Sequence, residues 1–221
     1  MKVLDLFSGT GSIRKICIDR GYEVVSLDMN NDKHIDIQCD IMKWDYKKYK
    51  QGYFDIIFSS PPCQTFSHCR KCWLGRKTKY FGENIITPQM LYDDMINNGL
   101  PILRKTEEII AYFQPIYYFI ENPKTGRMKE FMEHHEYFDI DYCKYSDWGY
   151  RKRTRFWTNL QNFDNKLCKK DCGYMVGNLH KNNLGNSKRN KKSGGSCGDL
   201  KTRYRIPPNL ISSILDTIEN K

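Results

Sequence analysis

The sequence has 221 residues, of which 39% are hydrophobic and 28% are charged, and its mean hydropathy is −0.70. These values are typical of one globular domain, alone or with a small appendage, and they exclude fibrous and intrinsically disordered chains. No apolar run approaches the roughly 18 residues that a transmembrane helix needs. Asp5 comes too early for a secretory signal. We therefore expect a soluble cytoplasmic protein that is not secreted and has no membrane partner.

The cysteine count indicates the state of the thiols, and the charge distribution indicates the type of partner. Nine cysteines, an odd number scattered along the chain, predict reduced thiols or metal ligands rather than a disulfide framework. The net charge is +10, and it is concentrated in residues 151–205, which hold 15 Lys or Arg residues and three acids. A basic segment on a nearly neutral body indicates a polyanion partner, because Lys and Arg displace counterions from phosphates. A solubilising tail is the alternative.

Short apolar runs alternate with helical stretches in the first 120 residues. Buried parallel strands are predicted at residues 3–7, 23–27, 54–58 and 117–120, and helices at 11–20 and 88–113. This order predicts an α/β fold with a doubly wound, mostly parallel sheet. Residues 137–143 and 154–158 are predicted to form an antiparallel pair at one edge. Residues 207–218 are predicted to form a helix that packs back on the sheet.

The chain is therefore divided into three parts. Residues 1–159 form the predicted catalytic domain, and residues 201–221 form the carboxyl-terminal helix. Between them, residues 160–200 are rich in Lys, Asn, Gly and Ser and cannot bury much apolar surface. We interpret this part as a short basic recognition segment.

A glycine-rich turn follows the first predicted strand, at Ser8-Gly9-Thr10-Gly11. Glycines let the backbone approach a ligand closely, and the amides that open a helix favour an anion. About 20 residues further on, Asp28 ends the second strand, where an acid can bind both ribose hydroxyls. Asp40 follows the next short run and could hold an adenine amino group. Nucleoside binding is the functional interpretation, and solvated turn acids are the alternative.

A thiol and a carboxyl group are predicted at the same edge of the sheet. Cys63 follows two prolines after the third strand, in a loop that the prolines make rigid, and is a candidate nucleophile. Glu121 ends the fourth strand, where burial could keep its carboxyl protonated for donation. Arg153 and Arg155 alternate on a later strand and share one face, which could reach the active site or form only a basic edge.

Two further groups have metal-binding or nucleic-acid-binding chemistry. Cys168, Cys172 and His180 are candidate zinc ligands, with Cys197 or Cys143 as the fourth, and unconnected thiols are the alternative. His68, Cys69 and Cys72 form a weaker candidate group. The loop after Cys63 holds five Lys or Arg residues with Trp73 and Tyr80 and no acids, which predicts contact with DNA: Arg70, Lys71, Arg76, Lys77 and Lys79.

The chain resembles the DNA cytosine-5 methyltransferases, which use S-adenosyl-L-methionine. The resemblance rests on residues 5–11 (DLFSGTG), 61–67 (PPCQTFS), 121–123 (ENP) and 153–155 (RTR), and it covers nearly the whole chain apart from residues 160–200. The compact phage and large-DNA-virus branch is most similar. A viral member of this branch would act in the cytoplasm, the nucleus or a viral factory.

The resemblance implies the S-adenosylmethionine-dependent methyltransferase fold and a set of site residues. Cys63 would add to C6 of a flipped cytosine, Glu121 would hold N3, and Arg155, with Arg153 beside it, would contact the base. The implied cofactor-binding residues are Asp5, Phe7, Ser8, Gly9, Thr10, Gly11, Asp28, Met29, Asp40, Ile41 and Pro61. The implied partner is double-stranded DNA, bound by a monomer.

The sequence departs from the family pattern at three places. Pro123 replaces the usual valine, Arg151 replaces the usual glutamine, and the carboxyl-terminal Gly-Asn-Ser motif is echoed only at residues 185–187. The recognition segment is also far shorter than in most of the family, which indicates a short or relaxed target site. A tRNA cytosine-5 methyltransferase and a catalytically silent nucleic-acid-binding relative are the alternative functions.

Overall fold

The structure is a computed structural model that describes residues 1–184, 195–196 and 200–220. The echo of the Gly-Asn-Ser motif at residues 185–187, and Cys197, lie outside the described residues. Among the described residues, no helix combines the length and the apolar character needed to cross a bilayer.

The centre of the molecule is a seven-stranded sheet with the strand order β3-β2-β1-β4-β5-β7-β6 within the described residues. Strands β3, β2, β1, β4 and β5 are parallel, whereas β7 runs antiparallel between β5 and β6. The strands are β1 (Lys2–Leu6), β2 (Glu23–Asp28), β3 (Ile37–Gln38), β4 (Ile56–Ser59), β5 (Tyr117–Pro123), β6 (Tyr137–Asp141) and β7 (Arg153–Thr158). The predicted doubly wound, mostly parallel fold is confirmed.

Helices cover both faces of the sheet. Buried side chains of α1 (Ser12–Asp19) and α5 (Pro208–Glu219) pack with Val3 and Ile56 on one face. Those of α3 (Leu100–Phe113) pack with Leu4 and Ile57 on the other. Neighbouring residues of one strand thus enter opposite cores, because strand side chains alternate.

The helix predicted at residues 88–113 has two α-helical parts. Helix α2 (Pro88–Asp94) and α3 are joined by one wider π-helical turn, Met95–Gly99. Pro101 lies in the first turn of α3 and has no N–H to donate, which accounts for the break in the regular ladder.

The antiparallel pair predicted for the sheet edge is confirmed, with β7 inserted between β5 and β6. After it come β8 (Met175–Val176), β9 (Leu179–His180), β10 (Asn182–Asn183), β11 (Gly195–Ser196) and α4 (Leu200–Tyr204). Strands β8 and β9 form one small sheet, and β10 and β11 form another.

Helix α5 is bound to the first helix of the chain by both apolar and ionic contacts. Its side chain Ile214 is 1% exposed within the core that also holds Ile13 and Cys17 of α1. Arg20 forms ion pairs with Asp216 and Glu219 of α5 at 2.6 and 2.8 Å. The prediction that the last helix packs back on the sheet is confirmed.

Truncation of Ile214 should therefore destabilise the protein. We expect Ile214→Ala to lower the free energy of unfolding by about 3 kcal/mol, because it removes buried methyl and methylene groups and leaves a cavity. Ile18→Ala is the matched control, since Ile18 lies on α1 but is 47% exposed, and it should cost less than about 0.5 kcal/mol. Urea denaturation followed by circular dichroism measures both; equal losses would contradict the packing described.

Candidate active site

Three predicted motifs meet at one edge of the sheet. The glycine-rich turn follows β1, the Pro-Pro-Cys loop follows β4, and Glu121 lies near the end of β5. Strand β4 pairs in parallel with both β1 and β5, so the carboxyl ends of all three strands lie together. Ligands of open α/β sheets bind at this edge.

The glycine-rich turn has backbone angles that few side chains adopt. Gly9 and Gly11 have φ values of 51° and 68°, and Phe7 also lies in the left-handed region at 59°. The turn is closed by the amide of Gly11, which donates to the carbonyl of Ser8 at 2.9 Å. The Ser8 hydroxyl donates to the buried carboxyl of Asp5 at 2.8 Å. Burial raises the pKa of Asp5 to about 7.

Asp28 connects this turn to the loop after β2. One carboxylate oxygen accepts from the Gly9 amide at 2.9 Å, and the other accepts from the amide and the side chain of Asn30 at 2.8 Å each. Met29, the next residue, is 69% exposed. Asp28 therefore fixes the turn and lies beside it, as expected of an acid at the end of the second strand.

Asp40 and Ile41 follow β3, next to Asp28. The amide of Cys39 donates to the Asp28 carbonyl at 3.0 Å. The Asp40 carboxylate accepts from the Met42 amide at 3.0 Å, and Ile41 is buried. Two carboxylates at neighbouring strand ends, beside a glycine turn, can accept hydrogen bonds from the hydroxyl and amino groups of a nucleoside.

His34 covers the glycine turn. Its Nε2 lies 3.1 Å from the carbonyl oxygen of Gly9, and a Cβ atom on Gly11 would lie 2.8 Å from the imidazole ring. A side chain at position 11 would displace this ring from its present position. No local sequence signal marks His34, because its contact with the turn depends on how the loop after β2 folds.

The Pro-Pro-Cys loop is attached to the strands on both sides of β4. The amide of Ser60 donates to the carbonyl of Leu6 in β1 at 3.2 Å. The side-chain amide of Asn122 in β5 donates to the carbonyl of Pro61 at 2.9 Å, and this bond is buried. Cys63 therefore lies, partly exposed, on a loop fixed by two neighbouring strands.

Glu121 is buried in a polar network. Its Oε1 accepts from the Tyr142 hydroxyl at 3.3 Å and from the Lys152 ammonium at 3.4 Å. The side chains of Glu121 and Lys152 are 10% and 11% exposed. Lys152 also donates to the carbonyl of Arg203 at 3.3 Å. Neither Tyr142 nor Lys152 was predicted as a site residue.

Glu121 and Lys152 act on the Cys63 thiol in opposite directions. Burial raises the pKa of Cys63, the charge of Glu121 raises it further, and the charge of Lys152 lowers it. The thiol and the carboxyl group are therefore close enough to interact electrostatically, as expected from the two strand ends.

The structure places Arg153 and Arg155 on the other face of the sheet from Glu121. In the antiparallel register Glu121 pairs with Phe156, so alternation points the two arginines away. Arg153 binds Asp141 through two hydrogen bonds, at 3.0 and 2.6 Å, and Arg155 binds Asp139 likewise, at 2.7 and 3.1 Å. Arg153 and Arg155 do share one face of β7, as expected, but in this register that face points away from Glu121.

Arg70 also differs from its expected role. The sequence predicts that it contacts DNA with the other cations of the loop after Cys63, but it forms a buried ion pair with Asp94 at 2.6 Å. Its guanidinium lies 5.3 to 5.5 Å from the ring centroids of Trp73, Tyr80 and Phe81. The other four cations of the loop are exposed: Lys71, Arg76, Lys77 and Lys79.

The predicted metal ligands lie together. Cys168, Cys172 and His180 form a cluster with Cys143, in which all four ligand atoms lie within 4.8 Å of one another. Of the two fourth ligands left open by the sequence, Cys143 lies in this cluster, and Cys197 lies outside the described residues. The weaker candidates Cys69 and Cys72 are exposed on a short 3-10 helix, His68–Trp73.

Comparison with known proteins places this chain in a family. It is 40% identical over 222 residues to the "Probable DNA (cytosine-5)-methyltransferase" of Frog virus 3 (isolate Goorha), an alignment that covers 98% of this chain and 99% of the viral protein. No family model matches the chain. The fold is that of a methyltransferase, and the chain belongs to the DNA (cytosine-5)-methyltransferase family. The expected likeness to a compact viral member is confirmed.

Solved structures show weaker similarity. The methyltransferase EhMeth of Entamoeba histolytica is 18% identical, with a TM-score of 0.43 over 82% of this chain. A DNMT2 variant of Spodoptera frugiperda is 15% identical, with a TM-score of 0.44 over 81% of this chain. The matched region spans 61% of each of these two longer chains. The family assignment depends on the viral relative alone.

The buried pair of Arg155 and Asp139 gives a test of the role of Arg155. Arg155→Met would leave Asp139 with one fewer cation inside the protein, and we expect it to lower the free energy of unfolding by about 3 kcal/mol. Arg104→Met is the control, because Arg104 forms an exposed pair with Glu107, and it should cost less than about 1 kcal/mol. Urea denaturation measures both. An unchanged stability in Arg155→Met would return Arg155 to the list of residues free to bind substrate.

Proposed function

We propose that the protein transfers a methyl group to C5 of cytosine in double-stranded DNA, through a covalent bond between Cys63 and the base. The observation that carries this proposal is that Cys63 lies on a loop bonded to β1 and β5, at the same edge of the sheet as Glu121 of β5. A partly exposed thiol that interacts with a buried carboxyl group has the arrangement needed to attack a base and to hold its ring nitrogen. Membership of the cytosine-5 methyltransferase family supports it.

The reaction begins at the Cys63 sulfur. The thiol loses its proton, and the thiolate Sγ bonds to C6 of cytosine while the electron pair of the C5–C6 double bond moves toward C5. After methylation, a base removes the proton from C5, the double bond re-forms, and Cys63 leaves as thiolate. S-adenosyl-L-methionine would supply the methyl group to C5 and would leave as the thioether S-adenosyl-L-homocysteine.

Glu121 holds N3 of the cytosine in this proposal. Tyr142 and Lys152 both contact Oε1, so we assign Oε2 to the base. A proton shared between this oxygen and N3 would stabilise the electron-rich ring of the adduct. The nearby ammonium of Lys152 also favours the thiolate of Cys63, which has to form before attack.

The cofactor would lie along the ends of β1, β2, β3 and β4. The carboxylates of Asp28 and Asp40 would bind the ribose hydroxyls and the adenine amino group, and the glycine turn would bind the amino-acid part. The other residues that we assign to this site are Asp5, Phe7, Ser8, Gly9, Thr10, Gly11, Met29, Ile41 and Pro61.

DNA is the proposed substrate because of the family and the charge distribution. The base must leave the helix stack to reach Cys63, since C5 and C6 are otherwise enclosed by its neighbours. The exposed cations of the loop after Cys63 would bind the phosphates, together with the exposed Lys and Arg residues described between positions 151 and 205: Arg151, Lys166, Lys169, Lys170, Lys181 and Lys201. A recognition segment of about 40 residues supports a short or relaxed target site.

Replacement of the nucleophile tests the chemistry. We expect Cys63→Ser to reduce methyl transfer by at least about a thousandfold, because loss of a covalent nucleophile has costs on this scale in other enzymes. The control is Cys69→Ser, an exposed thiol in the same region, which should retain activity. The assay incubates the protein with labelled S-adenosylmethionine and either DNA or tRNA, followed by nucleoside mass spectrometry.

The outcomes of this assay separate the functions. 5-Methylcytosine in DNA that disappears in Cys63→Ser supports the proposal. 5-Methylcytosine in tRNA alone would show that the substrate is tRNA rather than DNA and would leave the proposed mechanism unchanged. Cofactor binding without methylation of either nucleic acid would indicate a silent nucleic-acid-binding protein, and full activity of Cys63→Ser would exclude covalent catalysis.

The charges around Cys63 predict opposite pH shifts. Glu121→Gln removes a negative charge that disfavours the thiolate, so the pKa of Cys63 should fall and alkylation should reach half its maximal rate at lower pH. Lys152→Met removes a favourable positive charge, so this midpoint should move to higher pH. The rate of iodoacetamide labelling, measured against pH by mass spectrometry of the Cys63 peptide, tests both.

A surface ion pair provides the controls for this experiment. Glu108→Gln and Lys105→Met remove the same two kinds of charge from a pair on α3, and both should leave the Cys63 midpoint unchanged. Shifts of the same sign in Glu121→Gln and Lys152→Met would show that the two charges do not act on Cys63 as described.

A further inference from the structure

The four-residue cluster joins the catalytic domain to the start of the recognition segment. Cys143 lies in a 3-10 helix directly after β6, whereas Cys168 and Cys172 follow β7 and His180 lies in β9. Cys143 and Cys168 are buried, and the other two are partly exposed. All four ligand atoms face one another within 4.8 Å. Residues separated by up to 37 positions therefore present soft ligands to a single point.

We propose that this cluster binds one structural Zn²⁺ ion. Three thiolates and one imidazole are a common closed tetrahedral set for zinc. With zinc bonds of about 2.3 Å to sulfur and 2.0 Å to nitrogen, a tetrahedron separates sulfur from nitrogen by about 3.5 Å. The Nε2 atom of His180 lies 3.5 Å from Sγ of Cys168 and 3.4 Å from Sγ of Cys172. His180 thus already lies at the distance from Cys168 and Cys172 that zinc would impose.

The surroundings also suit a charged metal site. The amide of Lys170 donates to the sulfur of Cys168 at 3.3 Å, as a donor to a metal-bound thiolate would. Lys144, next to Cys143, forms an ion pair at 3.1 Å with Asp171, next to Cys172. This pair joins the two sides of the cluster independently of any metal.

A disulfide explains the cluster less well. It would use two of the three thiols and would leave the third thiol and the imidazole without a function. It would also be out of place in a chain whose other described cysteines are free. The tetrahedral metal site uses all four groups.

The recognition segment needs such a link because it buries little apolar surface. Its strands β8 and β9 have two residues each, and Val176 and Leu179 are 54% and 50% exposed. Segments of this composition gain their folding energy from the metal when they bind one. Three ligands from this segment and one from the catalytic domain would hold the segment in place.

The ligands are directly connected to the candidate active site, and this part of the inference rests on the proposed function. Tyr142, which donates to Glu121, is the residue before Cys143. The amide of Cys168 donates at 2.8 Å to Asp141, which also binds Arg153. Zinc would therefore fix both the base of the recognition segment and the wall that positions Glu121.

Metal analysis of the full-length protein, purified without chelators, tests the proposal. We expect about one zinc per chain by inductively coupled plasma mass spectrometry. X-ray absorption at the zinc edge should show three sulfur ligands and one nitrogen ligand around the zinc. Cys172→Ser should lose most of the metal. The matched control is Cys72→Ser, an exposed thiol outside the cluster, which should keep it.

A further variant allows for a folding defect. Cys172→His offers zinc a replacement ligand and should retain the metal. If any substitution at position 172 disturbed the fold, Cys172→His and Cys172→Ser would both lose the metal. Removal of zinc from the wild-type protein by a strong chelator should lower the melting temperature and expose the three thiols to alkylation.

Less than about a tenth of a zinc per chain in folded wild-type protein would overturn the proposal, as would a disulfide between two of these cysteines. The result is independent of the catalytic proposal, because zinc content is measured without any substrate. A zinc-loaded protein that methylates nothing would leave the metal site in place and would remove the proposed function.

Discussion

The parallel pairing of β4 with both β1 and β5 is the constraint on which the rest of the site depends. It brings three loops, distant in sequence, to one edge of the sheet. The Pro-Pro-Cys loop is then held from both sides, by Leu6 in β1 and by Asn122 in β5. A loop attached in this way has little freedom, so the position of Cys63 follows from the strands. The prolines reduce the remaining freedom of the backbone.

Alternation along β5 and β7 divides the charges of this region between two functions. On one face, Glu121 contacts Lys152 and Tyr142 beside the thiol. On the other face, Arg153 and Arg155 hold the edge strand β6 through Asp141 and Asp139. A buried ion pair contributes little net stability compared with apolar packing, but it is costly to break, so it favours one register over its neighbours. The arginines thereby hold β6 and β7 in the register that places Glu121 beside Lys152.

Features that depend on a few consecutive residues could be predicted from the sequence, whereas pairings between distant residues could not. The glycine turn, the prolines and the acids at strand ends were identified because each depends on a few consecutive residues. The partners of Arg153, Arg155 and Arg70 depend on elements far away in sequence, so charge alone did not show whether these side chains were buried. Similarly, spacing identified Cys168, Cys172 and His180 as a group, but the position of Cys143 beside them depends on the pairing of β6 with β7. Lys152 was not predicted as a site residue, because the adjacent Arg153 and Arg155 match the family motif and Lys152 does not.

The chain is anchored to the catalytic domain on both sides of residues 185–199. Before them, Asn182 donates to the carbonyls of Gly149 and Trp148. After them, the carbonyls of Thr202 and Arg203 accept from Tyr150 and Lys152. Because the entropy of closing a loop grows only with the logarithm of its length, a segment fixed at both ends can lengthen at low cost. If the proposed function holds, this architecture would let evolution change the recognition segment while the chemistry beside it stays the same.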